Sequence, residues 1–211
     1  MRMVKRFFGL YALPMMIMAR PFAGFYAMKF EGKGTLKLAL FNFLLVGISL
    51  AFSNQYSSIL VNDRHPLTLN SIIDFIFLVA AFLLFCISNW SVTTLTDGEG
   101  KFRDIVMAIC YAMTPLVLTI APAAILSNFL SAEEVGLYFL LIGAGMFYFV
   151  LLSFIGLVTV HDYGAVKSLL TIVLTFIAML VIVFLLALFF TLWTQLASFI
   201  SSVHTELSFR G

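Results

Sequence analysis

The residues best able to do chemistry lie in two short polar segments of a very apolar chain. In the first, His161 is followed by Asp162, and a histidine beside a carboxylate can act as an acid–base pair or contribute to a metal site. No nucleophile and no second histidine lies close to them in the sequence, so an ordinary polar connection explains the pair more simply. We therefore predict that the chain is not an enzyme and that it binds no cofactor and no metal ion.

The second segment, residues 97–104, mixes acidic and basic side chains with two glycines. Its Gly100-Lys101 pair is not a phosphate-binding loop, because that loop needs a glycine where Leu95 stands and a serine or threonine where Phe102 stands. The mixed charges fit a surface that docks a protein partner, and they fit a solvated connection equally well. The candidate docking residues are Asp97, Glu99, Lys101, Arg103, His161 and Asp162.

The composition indicates which elements position these segments. Apolar residues make up 63% of the 211 residues and charged residues 10%, against about 45–50% and about 25% in soluble domains. Five apolar runs without a central charge are each long enough to cross a hydrocarbon core of about 30 Å. We predict an all-α polytopic membrane protein, a bundle of five transmembrane helices, at residues 36–54, 72–90, 105–126, 137–160 and 169–199.

The fifth run is longer than one crossing needs. Residues 168–205 contain no Asp, Glu, Lys or Arg. A hydrophobic helix of this length has to tilt, break or project beyond the bilayer.

Basic residues set the predicted orientation. Of the twelve Lys and Arg residues, ten lie at or before the start of the first run, between the second and third runs, or between the fourth and fifth. Because cytoplasmic segments are enriched in Lys and Arg, we predict a protein of the cell membrane with its N-terminus in the cytoplasm and its C-terminus outside. The predicted divisions are a cytoplasmic or interfacial segment at residues 1–34, the five-helix domain at residues 35–200 and a short extracytoplasmic tail at residues 201–211.

The N-terminal segment combines basic and aromatic residues. Lys5-Arg6 and the apolar stretch after it resemble a secretory signal, but Pro14 interrupts that stretch and Arg20-Pro21 stands where a cleavage motif would end. An interfacial amphipathic segment fits better, and docking a partner protein is the alternative use of this surface. The aromatic side chains expected in the headgroup layer are Phe7, Phe8, Tyr11, Phe22, Phe25, Tyr26 and Phe30.

Two sequence patterns predict helix starts on the outer side of the membrane. Ser71 with Asp74, and Ser131 with Glu134, match the capping box, in which an acid three residues after a serine bonds back to it. This gives Asp74 a structural role at a helix start. The alternative for an acid at the edge of a span is a proton-relay or ion site.

The third run contains two prolines, Pro115 and Pro122, on one helix face. Each proline removes an amide donor and frees the carbonyl four residues earlier, so we predict a kinked helix that packs this face inward. Transporters use broken helices of this kind to line substrate sites. A small transporter or channel with a kinked third helix is therefore the alternative function.

Four short stretches of the sequence are distinctive. They read Asn-Trp-Ser-Val-Thr-Thr-Leu at 89–95 with Asp-Gly-Glu-Gly at 97–100, Tyr-Ala-Met-Thr-Pro-Leu at 111–116, Val-His-Asp-Tyr-Gly at 160–164, and Arg-Pro-Phe with Phe-Tyr at 20–26. Over roughly residues 20–195 the chain resembles the Yip1-domain family, specifically its bacterial branch. The resemblance implies a non-enzymatic membrane protein with five spans and a cytoplasmic N-terminal segment.

The resemblance also bears on partners. Eukaryotic members contact small GTPases of the Rab type, and we do not carry that partner over, because their long N-terminal region is shortened here. Besides the lipid bilayer, we expect a membrane protein partner, with an ABC-transporter permease as the candidate that the resemblance suggests, or a homo-oligomer. Nucleic acid is not expected at a net charge of +2. The predicted function is a scaffold or accessory subunit of a membrane complex that docks its partner through cytoplasmic loops.

Overall fold

A computed structural model describes residues 11–62 and 70–210 of the chain. Residues 1–10, 63–69 and 211 lie outside the described part, and with them the predicted interfacial residues Phe7 and Phe8. Within the described ranges there are eight helices and no strand. In chain order they are α1 (Ala12–Ala19), α2 (Pro21–Lys29), α3 (Leu36–Tyr56), α4 (Ser71–Leu95), α5 (Phe102–Ala112), α6 (Thr114–Ser127), α7 (Val135–His161) and α8 (Ala165–Arg210).

Five helical segments are long and apolar enough to cross a membrane. They contain all five predicted runs, which confirms the all-α fold and the number of spans. Their bounds are Leu36–Tyr56, Ser71–Leu95, Phe102–Ser127, Val135–His161 and Ala165–Glu206.

The spans alternate in direction, so the connections gather at two ends of the bundle. Residues 30–35, 96–101 and 162–164 lie at one end, which we call the proximal end, and an ion pair there joins Lys29, at the end of α2, to Glu99. The other, distal end carries residues 57–62 and 128–134. There the backbone N–H of Ser58 donates to the hydroxyl of Ser127 at 2.9 Å.

The third span occupies the centre of the bundle. Its first half, α5, packs against α3 and α7, and every residue from Ile105 to Ala112 is buried. The fifth span, α8, lies at the periphery of the bundle, because it packs mainly on α4 and only slightly on α7. The proximal half of the bundle is therefore organised around α5.

The third span is interrupted at Met113, between α5 and α6. Pro115 frees the carbonyl of Tyr111, and the hydroxyl of Thr114 donates to that carbonyl oxygen at 2.6 Å. A freed backbone carbonyl inside a membrane needs such a partner, because no water is available there. Pro122 lies within α6, which continues through it.

The start of α4 differs from the prediction. Asn70 is the cap, since its side-chain oxygen accepts from two backbone N–H groups of the first turn at 3.2 Å each. The prediction that Ser71 caps this helix is therefore wrong, and asparagine is at least as good a cap as serine. Asp74 lies in the first turn, where a negative charge favours the helix dipole, and it accepts a hydrogen bond from Asn54 Nδ2 at 2.9 Å.

The second pattern forms its serine–glutamate contact, but Ser131 is not the cap, since Glu134 occupies the cap position and no side chain caps α7. The carboxylate of Glu134 accepts hydrogen bonds from the backbone N–H and the hydroxyl of Ser131 at 3.0 Å each, and α7 begins at the next residue, Val135. These hydrogen bonds lower the pKa of the Glu134 carboxyl, the backbone bond having the larger effect. The acid therefore helps to hold the turn that leads into the fourth span.

The N-terminal segment forms a helical hairpin that packs along α7. The α1 and α2 helices fold back at Arg20 and touch where Gly24 lies against Ile17. Phe25 was predicted to lie in the headgroup layer, and this is wrong, since its ring is fully buried against Gly156 of α7. Three other aromatic side chains of the segment are exposed, namely Phe22, Tyr26 and Phe30. The segment is thus one-sided, with its inner face in the core of the bundle.

The last helix is continuous. α8 has 46 residues, which at about 1.5 Å per residue makes it about 69 Å long, more than twice a hydrocarbon core of about 30 Å. The long fifth run therefore does not break. The residues predicted as a separate tail from 201 onward continue this helix as far as Arg210.

Candidate functional site

The two polar segments singled out in the sequence meet at the proximal end. The hydroxyl of Tyr163 donates to the backbone carbonyl of Thr96 at 2.9 Å and lies 3.0 Å from the Thr96 hydroxyl, although these residues are 67 positions apart. The ammonium group of Lys167 lies 4.1 Å from the centroid of the Tyr163 ring, which is a cation–π contact. The connection from α4 to α5 is thereby held against the connection from α7 to α8.

His161 is a buried structural residue of this end, which corrects its prediction as a docking residue. Its side chain is 2% exposed, and its ring stacks on Tyr163 with 5.4 Å between ring centroids. Nε2 lies 3.1 Å from the side-chain oxygen of Asn89, and no bond joins the ring to Asp162. Within the described residues, His161 and Asp162 therefore do not form the acid–base pair considered from the sequence, and His161 cannot touch a partner.

A chain of buried polar side chains connects three helices. His161 of α7 donates to the oxygen of Asn89 in α4, and the amide nitrogen of Asn89 donates to the hydroxyl of Thr175 in α8 at 3.1 Å. Thr175 in turn donates to the carbonyl of Thr171 at 2.7 Å. Hydrogen bonds between helices in an apolar surrounding contribute about 0.6–2 kcal/mol each. This buried polar chain fixes the positions of α4, α7 and α8 relative to one another.

Two glycines allow the connection from α4 to α5 to lie directly on this chain. A Cβ on Gly98 would lie 2.7 Å from the Tyr163 hydroxyl oxygen and 2.8 Å from His161 Nδ1. At Gly100 it would lie 2.6 Å from Val160 Cγ1 and 2.7 Å from His161 Cε1. Real Cβ atoms do not approach so closely, so only glycine fits at either position without displacing neighbours.

Two of the predicted docking residues have a backbone role as well. Asp97 has a φ of 55° and Asp162 a φ of 54°, both in the left-handed region. Aspartate tolerates this region better than most residues, because its short polar side chain can bond locally. Asp162 occupies the position that ends α7, and Asp97 the turn that follows α4. Their presence is therefore explained in part by the shape of the two connections.

Lys29 attaches the N-terminal hairpin to this site. Its ammonium group donates to the backbone carbonyl of Val160 at 2.8 Å and lies 3.6 Å from the carboxylate of Glu99. Because the Lys29 side chain is 11% exposed while that of Glu99 is 64% exposed, the bond to the carbonyl is the more shielded of the two. All three parts of the proximal end are thus joined at one place.

The remaining predicted docking residues form the outer surface of the proximal end. Asp97, Glu99, Lys101, Arg103 and Asp162 are all exposed. The backbone N–H of Lys101 donates to the carboxylate of Asp104 at 3.3 Å, which starts α5. We call the five exposed residues Asp97, Glu99, Lys101, Arg103 and Asp162 the charged tip. Their docking role stays a prediction.

Sequence reasoning missed the residues that hold the charged tip in place. Thr175 and Lys29 lie in none of the distinctive stretches, and Asn89 begins one of them without having been singled out as a residue of the site. A signal was nevertheless present, because Asn89 falls inside an apolar run, where an amide has to find a partner on another helix. The identity of that partner depends on which helices are neighbours, which the sequence does not contain.

An all-helical bundle with five apolar spans and a charged end held by buried polar contacts defines a multi-pass membrane protein. Comparison with protein families matches residues 15–189 to the Yip1 domain. The chain therefore belongs to the Yip1-domain family, which confirms the family suggested by its four distinctive stretches. Comparison with curated proteins and with solved structures found no match.

Proposed function

We propose that this protein is a non-enzymatic scaffold or accessory subunit of a membrane complex, and that the charged tip is where it docks its partner. The observation that supports this is the contrast between the two layers of the proximal end. Five charged side chains are exposed, and the backbone beneath them rests on buried contacts of His161, Tyr163 and Lys29. The partner we propose is another polytopic membrane protein, with an ABC-transporter permease as the candidate that the family resemblance suggests.

The rigidity of the tip favours docking over a solvated connection. A loop that is already ordered loses little conformational entropy when a partner binds, so its polar contacts contribute more to affinity. The connection 96–101 has no room for a side chain at Gly98 or Gly100, so movement would require the underlying polar contacts to break.

We propose further that the proximal end faces the cytoplasm. The ten basic residues of the sequence assigned to this side support the orientation. In intact cells, a cysteine at Lys101 would then be labelled by a membrane-impermeant maleimide only after permeabilisation, and a cysteine at Glu133 would be labelled without it. The reverse pattern would contradict the orientation.

Photo-crosslinking in cells tests the docking proposal directly. A photoreactive amino acid at Arg103 is expected to form an adduct with one membrane protein, identified by mass spectrometry, and the same probe at the distal Glu133 is expected to form none. Lys101→Glu should reduce the Arg103 adduct, because it reverses a neighbouring charge of the tip. The matched control is Lys37→Glu, which makes the same charge change away from the tip. Equal adducts at both ends, or no effect of Lys101→Glu, would count against docking by the tip.

A small transporter or channel is the second candidate, and the break at Met113 is the observation in its favour. Next to the break, Asn42 Nδ2 donates to the carbonyl of Cys110 at 2.6 Å, while the buried Asn42 Oδ1 has no partner in the described part of the chain. A cleft of about 450 Å³ lies between α3 and α4 near the distal end, and its mostly apolar lining includes Asn54, Ser71 and Asp74. In proteoliposomes, a substrate flux that falls on Pro115→Ala or Asp74→Asn would favour this candidate. Transport, and not docking, would then be the main function.

A further inference from the structure

The α2 helix runs beside the fourth span in the same direction. The ring of Phe25 lies against Gly156 of α7. One turn further along, the ammonium group of Lys29 donates to the carbonyl of Val160 at 2.8 Å. Both contacts advance by four residues, so α2 begins, at Pro21, about four residues of α7 before Gly156. The hairpin therefore turns well inside the length of the fourth span.

The turn of the hairpin lies near the middle of α7. Just before it, the backbone carbonyl of Met18 accepts a hydrogen bond from the hydroxyl of Tyr148, the middle residue of the 27 in α7. Arg20 joins α1 to α2 and lies between these contacts, level with α7 between Tyr148 and about residue 152. At about 1.5 Å per residue, its backbone is within about 6 Å of the middle of the span.

This position lies inside the hydrocarbon layer. Charged residues mark both ends of α7, with Glu134 before the helix and Asp162 after it. A core of about 30 Å fits between the ends of this helix of about 40 Å only if the midplane is within about 5 Å of Tyr148. The backbone of Arg20 is then at most about 11 Å from the midplane, and the half-thickness of the core is about 15 Å.

Arg20 has no counter-charge in its own chain. Its side chain is exposed. Within residues 11–62 and 70–210, the ion pairs are those of Lys29 and Lys33, and the guanidinium of Arg20 has no hydrogen-bond partner. Arginine keeps its charge in proteins, and a charge in the hydrocarbon layer is unfavourable unless it is paired. The position of Arg20 therefore calls for an anion from another molecule.

We propose that Arg20 pairs inside the membrane with a carboxylate on a transmembrane helix of the partner protein. This rests on the proposed function, in which the partner is another polytopic membrane protein, and it adds a second contact to that of the charged tip. Two exposed small residues, Ala19 and Ala23, stand close to Arg20 in the chain. Small residues let a second helix approach closely enough for a polar contact between helices.

A second copy of the chain does not supply the carboxylate. Every acidic residue that the structure describes lies in a connection or within two turns of a helix end. Asp74 is in the first turn of α4, near the distal end, where it accepts a hydrogen bond from Asn54. None of these residues reaches the depth of Arg20, so the occupant is a different protein.

A lipid phosphate fits this position less well. Phosphate groups lie outside the hydrocarbon layer, so one would have to be drawn inward from the proximal end. The face of α2 that leads there carries Phe22, Tyr26 and Phe30, spaced by four residues and 48–62% exposed. Along this face a phosphate would meet a single donor, the hydroxyl of Tyr26.

Photo-crosslinking in cells tests the pairing. A photoreactive amino acid at Ala23 is expected to form an adduct with a transmembrane peptide that contains Asp or Glu, identified by mass spectrometry. The same probe at Phe147, which is 71% exposed at the same depth, is expected to form lipid adducts only. Arg20→Gln should lower the protein adduct about three- to thirtyfold, which corresponds to one polar contact between helices. Arg20→Lys keeps the charge and should retain most of the adduct.

Two further measurements separate pairing from a structural role. Changing the crosslinked acid of the partner to its amide should cause the same loss as Arg20→Gln, and the double variant should lose no more. In detergent, Arg20→Gln should melt with the wild-type protein, because the Arg20 side chain has no partner in the described part of the chain. A lower melting midpoint would indicate a structural role instead.

The remaining outcomes overturn the proposal. An adduct at Ala23 with phospholipid alone would make Arg20 a lipid-binding residue. A protein adduct that is unchanged in Arg20→Gln would show a contact that does not use the charge. Labelling of Arg20→Cys by a water-soluble maleimide, as expected for Lys33→Cys in permeabilised cells, would place residue 20 outside the hydrocarbon layer.

Failure of this pairing can be told apart from failure of the charged tip. The probe at Arg103 tests the tip independently. An adduct at Arg103 with none at Ala23 would reject the pairing and leave docking by the tip intact. An adduct at Ala23 with none at Arg103 would keep the pairing and reject the tip as the docking surface.

Discussion

Gly100→Ala tests whether the proximal end is held by close packing. The added Cβ would lie 2.6 Å from Val160 Cγ1 and 2.7 Å from His161 Cε1, and both of those side chains are buried. The imidazole cannot simply turn away, because Asn89 holds its Nε2 and Tyr163 stacks on its face. Adding volume to a packed interior typically costs about 1–3 kcal/mol, and we expect a loss of unfolding free energy in this range.

Thermal unfolding in a mild detergent measures this loss. At about 2–4 °C per kcal/mol for a chain of this size, the midpoint should fall by about 2–12 °C. Gly164→Ala is the matched control, because it lies at the same end and a Cβ there meets nothing within 4 Å. That variant should be unchanged or more stable by at most about 1 kcal/mol. If both variants melt with the wild-type protein, the connection 96–101 is not packed on His161 and the argument for a rigid tip is lost.

Three further predictions concern other contacts. Gly24→Ala should destabilise the hairpin more than Gly100→Ala destabilises the proximal end. The new Cβ at residue 24 would meet the backbone of Ile17 at 2.7 Å, whereas the new Cβ at residue 100 would meet only side chains. Protease sensitivity of the N-terminal segment is the measurement. Asn42→Leu should lower unfolding free energy by about 1–3 kcal/mol, because a buried carbonyl at the helix break loses its donor; thermal unfolding with Asn42→Asp as a comparison checks this. The hydrogen bonds from Ser131 lower the pKa of Glu134. Their stabilisation is therefore complete above the ordinary carboxyl pKa and is lost as the pH falls through the lowered pKa. Glu134→Gln should remove this part of the acid sensitivity in a pH series of melting curves.

The spans were predictable because their signal is local. An uncharged run of about 20 residues has few alternatives to crossing a membrane, and the observed helices contain each predicted run. Their ends were less predictable, since they depend on competition between neighbouring caps. At the start of α4, Asn70 and Ser71 are adjacent and either could cap, and only the backbone path decides between them.

The N-terminal hairpin shows what hydrophobicity alone cannot decide. Phe22, Phe25 and Tyr26 all read as interfacial aromatic residues in the sequence, yet Phe25 is fully buried and the other two are more than half exposed. In a chain this apolar, the pattern that usually separates a buried face from an exposed one is weak, because lipid accepts the same side chains as the core. The packing partner decides, and for Phe25 that partner is Gly156, more than a hundred residues away.

The same reasoning changes what the family resemblance means for function. Several residues that carry it are buried in the proximal end, including Asn89, Thr93, Tyr111, His161 and Tyr163. Buried residues of this kind specify how helices and connections fit together, so sharing them predicts a shared fold at this end of the bundle and does not predict a shared ligand. If the protein docks its partner as proposed, partner choice depends on exposed side chains, and at the proximal end these include the charged tip. Exchanging the tip between members of the family should therefore move the crosslinked partner with it, while exchanging the buried residues should affect only stability.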